Sequence, residues 1–115
     1  MKYFLLLVFF TSNVFAQGLG DKDRRDIRGS IAESCFTSQR GSQINSTMSD
    51  ARIRYYCSCY AQELIPDNLS MATWQSAMKA LQKSGNEAMM NVLLNGRNLH
   101  AVANSCSAQA MQYVK

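Results

Sequence analysis

Cys35, Cys57, Cys59 and Cys106 carry most of the chemistry open to this sequence of 115 residues. Four sulfurs could hold a metal, exchange electrons or form two disulfides. A zinc site wants paired CxxC knuckles, and the spacing lacks them. A redox dithiol is usually a CxxC at a helix start, where the thiolate is stabilised. Cys57-Ser58-Cys59 falls inside a helical pattern with no lysine or histidine beside it. Two structural disulfides are the expectation.

Four cysteines allow three pairings. Cys57 and Cys59 are two apart on a helix, so their side chains diverge by about 200°. A bond between them would unwind the helix, because the Cβ vectors must converge. The other two pairings stay open, each joining one of the pair to Cys35 and the other to Cys106. The position of Cys106 in the core stripe of the last helix favours Cys57 with Cys106, and Cys35 with Cys59.

The remaining reactive side chains form no constellation. His100 is the single histidine and follows a core position. Glu63 and Asp67 flank a helix end and a proline, which suits solvated carboxylates. No nucleophile elbow, HExxH or phosphate loop is present. The methionines (Met48, Met71, Met78, Met89, Met90, Met111) are an alternative copper set, but their helical spacing suits gap-filling in a core. No enzyme, cofactor or metal is therefore expected. Tyr55, Tyr56, Tyr60 and Trp74 gather around the cysteines. Such side chains pack against disulfides and also mark binding surfaces, so these four are the candidate partner surface. Asn45-Ser46-Thr47 and Asn68-Leu69-Ser70 match the glycosylation sequon, which matters only in a eukaryotic secretory pathway.

Helical periodicity supplies the elements that must position these groups. Ile27, Ile31, Cys35 and Phe36 make one stripe between Asp23 and about Arg40. A polar, flexible linker follows, and Thr47 with Asp50 has the shape of a capping box. Ile53, Tyr56, Cys57, Tyr60, Ala61 and Leu64 form the next core face, ended at Pro66. Ser70 opens a third helix bearing Met71, Trp74, Met78 and Leu81, with Gly85 closing it. A short apolar helix spans 87–94 and stops at Asn95-Gly96. The last helix, 98–113, carries Leu99, Val102, Cys106, Ala110 and Tyr113. The expected fold is an all-α bundle of four to five short helices cross-linked by two disulfides.

The first residues set the compartment. Lys2, the apolar run Tyr3 to Phe10, and Val14-Phe15-Ala16 have the layout of a secretory signal peptide cleaved after Ala16. The run is too short to span a bilayer. Residues 1–16 are thus the expected signal and 17–115 the expected domain, periplasmic or secreted. The net charge of +4 is mild and its basic residues are scattered. Nucleic-acid binding would want a dense basic stripe, so none is expected. A weak attraction to an acidic partner or anionic membrane surface remains.

From Cys35 through Tyr56-Cys57-Ser58-Cys59 to Cys106, the chain resembles a loose class of small exported bacterial proteins. Their pattern is one cysteine, then YCxC, then a late cysteine. The resemblance implies a helical, periplasmic or lipid-anchored protein and no catalytic residue. The functional expectation is a protein-binding domain of the cell envelope or exterior, such as a secretion or conjugation accessory or an immunity-type inhibitor. The alternative is a saposin-like binder of lipid surfaces, motivated by the apolar segment Met89 to Leu94.

Overall fold

Short polar side chains begin most of the helices, and they do so by accepting backbone N–H groups that a helix start leaves without partners. In the computed structural model, which describes residues 20–114, the helices are α1 (Asp21–Arg40), α2 (Asp50–Leu64), α3 (Met71–Ser84), α4 (Asn86–Leu94) and α5 (Leu99–Tyr113). Ser49 accepts from the Arg52 N–H at 3.2 Å, Ser70 from Thr73 at 3.1 Å and Asn98 from Ala101 at 3.1 Å. The cap of α2 is thus Ser49 rather than the expected Thr47, which is exposed two residues upstream. At the start of α1, the Asp23 carboxylate instead reaches back to the Gly20 N–H at 3.1 Å. The expected signal segment and the first residues of the expected domain lie outside the described residues.

The helix ends follow backbone rules just as closely. α2 stops at Leu64, two residues before Pro66. Between α3 and α4 the backbone turns at Gly85, with φ +91°, a region that side chains with a Cβ rarely enter. Asn95 (φ 52°, ψ 54°) takes the left-handed conformation after α4, and Gly96 follows with positive φ. The architecture is all-α, with five helices and no strand among the described residues.

α2 is the central element. It packs against α1 on one flank and α5 on the other and touches α4, while α3 pairs mainly with α4. One turn of helix is 3.6 residues, so positions 50, 54 and 57 share one stripe and 52, 55, 59 and 63 share nearly the opposite one. The first stripe meets α1: Asp50 with Arg40, Arg54 with Glu33, and Cys57 with Cys35. The second meets α5 and its approach: Arg52 with the Val114 carbonyl, Tyr55 with Tyr113, Cys59 with Cys106, and Glu63 with Arg97. In the second set the partner number falls steadily as the α2 number rises, and in the first the start of α2 meets the end of α1 while Arg54 and Cys57 meet its middle, so both neighbours run antiparallel to α2. Between the stripes, Ile53, Tyr56, Tyr60 and Leu64 are fully buried.

Arginines fasten the ends of this frame. α2 has no basic residue in its last turn, so its terminal carbonyls are met from elsewhere. Arg28 of α1 donates to the Ile65 carbonyl at 3.0 Å and to Asp67 at 2.8 Å. Arg97 donates to the Glu63 carbonyl at 2.9 Å and to the Leu94 carbonyl at 3.0 Å. Arg24 donates twice to the Leu69 carbonyl, at 2.8 and 3.2 Å. Arg40 holds the Met48 and Asn45 carbonyls at 2.9 and 2.7 Å.

The expected flexible linker between α1 and α2 is ordered. A 3-10 turn covers Gln43–Asn45, and the buried Asn45 amide donates to the Gln39 side chain at 2.7 Å and to its carbonyl at 3.2 Å. The matching of two buried amides removes the desolvation cost that would otherwise expel this segment. It also engages the nitrogen of the Asn45 sequon.

Charge-assisted bonds from a mostly buried arginine should outweigh exposed ion pairs. The Arg28 side chain is 21% exposed, whereas Lys22 and Asp26 are 83% and 65% exposed. Arg28→Ala is expected to lower unfolding free energy by about 1–2 kcal/mol, and Lys22→Ala by less than about 0.5 kcal/mol, in urea titrations of the oxidised protein.

Candidate functional site

The pairing of the sulfurs follows from the two stripes of α2. Cys57 lies toward α1 and bonds Cys35; Cys59 lies toward α5 and bonds Cys106. The expected preference for Cys35 with Cys59, and Cys57 with Cys106, is therefore corrected. The physical reason is azimuthal: Cys59 shares a flank of α2 with Tyr55 and Glu63, and that flank faces α5, not α1. Exclusion of a Cys57–Cys59 bond stands. The Cα–Cα separations are 5.5 and 5.6 Å, and no cysteine among the described residues is free to act as a thiolate. Two formed disulfides suit an oxidising compartment. No helix among the described residues is long and apolar enough to cross a membrane.

Most of the aromatic group proves to be core. Tyr56, Tyr60 and Trp74 are at most 1% exposed, so they cannot form the expected partner surface. Their position follows from α2's inner stripe: the Tyr56 and Tyr60 rings stand 5.9 Å apart, and the Tyr60 hydroxyl lies 3.8 Å from the Met90 sulfur. Tyr55 alone of the four reaches the surface. Tyr113 joins it there, 64% exposed, with ring centroids 6.1 Å apart. Sequence periodicity placed Tyr113 in the core stripe of α5, but it overhangs the first turns of α2 at the helix end.

On α2's fourth side, Ala51, Ser58 and Gln62 face solvent. Toward α1 this strip is bordered by Phe36 and Arg54, whose guanidinium sits 3.9 Å from the ring centroid. Toward α5 it is bordered by Tyr55 and Tyr113. The outer face of the α1–α2–α5 layer is thus a band of small and polar side chains between aromatic borders. A guanidinium over an aromatic face contributes about 0.5–1 kcal/mol at exposed sites, enough to bias the Arg54 rotamer.

A cleft of about 290 Å³ opens farther along α2, lined by Glu63, Arg97, Asn98, Ala101, Val102, Ser105 and Cys106. Its charged end is the Glu63–Arg97 ion pair, and Cys106 brings the second disulfide to its wall. Glu63 and Asp67 are each engaged by an arginine, Glu63 by Arg97 and Asp67 by Arg28. His100 is exposed in the first turn of α5. Among the described residues, no group of histidine, cysteine and carboxylates could hold a metal.

The apolar segment that motivated lipid binding faces inward. Met89, Met90, Leu93 and Leu94 are at most 4% exposed, packed between α3 and the body of the protein. Part of the scattered positive charge is tied down within the fold: Arg24, Arg28, Arg40, Arg52, Arg54 and Arg97 each bind a carbonyl or a carboxylate.

Comparison with protein-family models, curated proteins and solved structures finds no match.

Two measurements check this geometry. A peptide map under non-reducing conditions should recover Cys35 bonded to Cys57 and Cys59 bonded to Cys106. Burial also lifts the Tyr56 phenol above its ordinary value of 10.0. Below that pH, folded and unfolded chains both keep the proton; above it the unfolded chain ionises first, so stability must fall. Urea midpoints should decline between about pH 9 and 11, and Tyr56→Phe should remove part of that slope.

Proposed function

We propose that this chain is an exported, non-enzymatic protein-binding domain of the cell envelope or its exterior. The layout of residues 1–16 supports export with cleavage after Ala16, delivering the domain to the periplasm or beyond. Disulfides agree with that route, because thiols on the cytosolic side are kept reduced. The resemblance to exported bacterial proteins with the same cysteine order points the same way.

One observation carries the binding reading: α1, α2 and α5 are covalently joined side by side, and their shared outer face presents Phe36, Arg54, Tyr55 and Tyr113. Tyrosine and arginine are the residue types that most often dominate binding energy at protein interfaces. Holding them on cross-linked helices lowers the ordering cost that flexible surfaces meet on association. An accessory role in a secretion or conjugation apparatus, or inhibition of a toxin or hydrolase, would use such a face. The partner is then another envelope or secreted protein.

The test places a photo-crosslinking residue at Ser58, Tyr113 or, as a control on α3, Gln82 in the full chain expressed in its native host. Adducts with one discrete protein are expected from the first two positions and not from Gln82. Absence of any protein adduct, or equal labelling from all three, would remove this reading.

A further inference from the structure

The two disulfides differ in what can reach them. Cys35 and Cys57 are 0% and 1% exposed, sealed between α1 and α2 within the main core. Cys59 is partly exposed on α2's other flank, so it is the member a thiolate can reach; Cys106 is 1% exposed, at the wall of the 290 Å³ cleft that ends at Arg97. Thiol–disulfide exchange needs a thiolate to reach a sulfur along the bond axis, so access governs which bond exchanges. The cleft supplies an opening beside one bond only.

We propose that Cys59–Cys106 is a redox-addressable bond, reducible by a dithiol in the folded protein, whose opening releases α5 from α2. Cys35–Cys57 is the permanent bond. The reaction is a two-electron exchange. A reductant thiolate forms a bond to one sulfur, and the other leaves as a thiolate. The second thiol of the same reductant, once deprotonated, then displaces the remaining cysteine sulfur. The two protons of the reductant end on Cys59 and Cys106, and the reductant becomes a disulfide.

Release is selective because of where the bond sits. It is the covalent rung among noncovalent ones: Arg52 to the Val114 carbonyl at 2.8 Å, Tyr55 on Tyr113, and Glu63 with Arg97. These contacts flank the disulfide toward the two ends of the α2–α5 contact, and the rest of the hold on α5 is apolar, through the buried Leu99, Val102, Ala103 and Ala110. The α1–α2 contact keeps its own disulfide, the Arg28 tie to Ile65 and the ion pairs Arg40–Asp50 and Arg54–Glu33. This inference is independent of whether a protein partner occupies the aromatic face.

The experiment treats the oxidised protein in native buffer with limiting reduced dithiothreitol, quenches with iodoacetamide, and maps the alkylated cysteines. A species alkylated at Cys59 and Cys106 but still bonded between Cys35 and Cys57 should accumulate, with the first bond opening at least about tenfold faster. Hydrogen exchange of that species should quicken along α5 and stay slow in the paired parts of α1 and α2. Simultaneous loss of both bonds, or earlier loss of Cys35–Cys57, overturns the assignment. Unchanged exchange along α5 overturns the release.

Discussion

Cys57 and Cys59 stand two residues apart on one helix, and their side chains leave it in nearly opposite directions. Because each is bonded to a different helix, α2 cannot rotate about its axis without breaking a covalent link. That constraint fixes which face of α2 is inner and which is outer. It sends Tyr56 and Tyr60 into the core and leaves Ala51, Ser58 and Gln62 in water. In the chain-entropy description, sequence separations of 22 and 47 correspond to about 3.4 and 4 kcal/mol of stabilisation. Against a typical domain stability of about 5–15 kcal/mol, cross-links of that size decide whether a core this small persists.

The arginines explain how a basic protein can lack a basic surface stripe. Five of their guanidinium groups, on Arg24, Arg28, Arg40, Arg52 and Arg97, bind carbonyls at helix ends and in loops, where those carbonyls have no partner within their own helix. Arg28 and Arg97 close the end of α2 from two different neighbours, and Arg40 gathers the linker between α1 and α2. Each bond reaches across elements, so it also sets the position of one helix along another.

The outer face inherits its character from the same geometry. Phe36 and Tyr55 border α2's solvent strip because they sit where the flanking helices meet it, half covered by Arg54 and Tyr113. Aromatic side chains held this way keep part of their apolar area exposed while losing little freedom on contact with another protein. The cleft at Arg97 is different in kind, polar at one end and walled by a disulfide at the other. The two surfaces share α2 and α5, so any loosening between those helices would alter both.

Periodicity alone determined a great deal. All six positions assigned to the inner face of α2 are buried, and Ser70, Gly85 and Asn95 punctuate the chain as their backbone preferences require. These are local properties: the spacing of apolar residues and the φ that each residue tolerates. Which sulfur met which was not local. Both surviving pairings satisfied the sequence, and only the placement of α1 and α5 on particular flanks of α2 chose between them. The same holds for the aromatic residues, since composition shows that Tyr55, Tyr56, Tyr60, Trp74 and Tyr113 are amphipathic but not which of them a neighbouring helix covers. Burial is a property of the neighbour, and the neighbour is supplied by long-range packing.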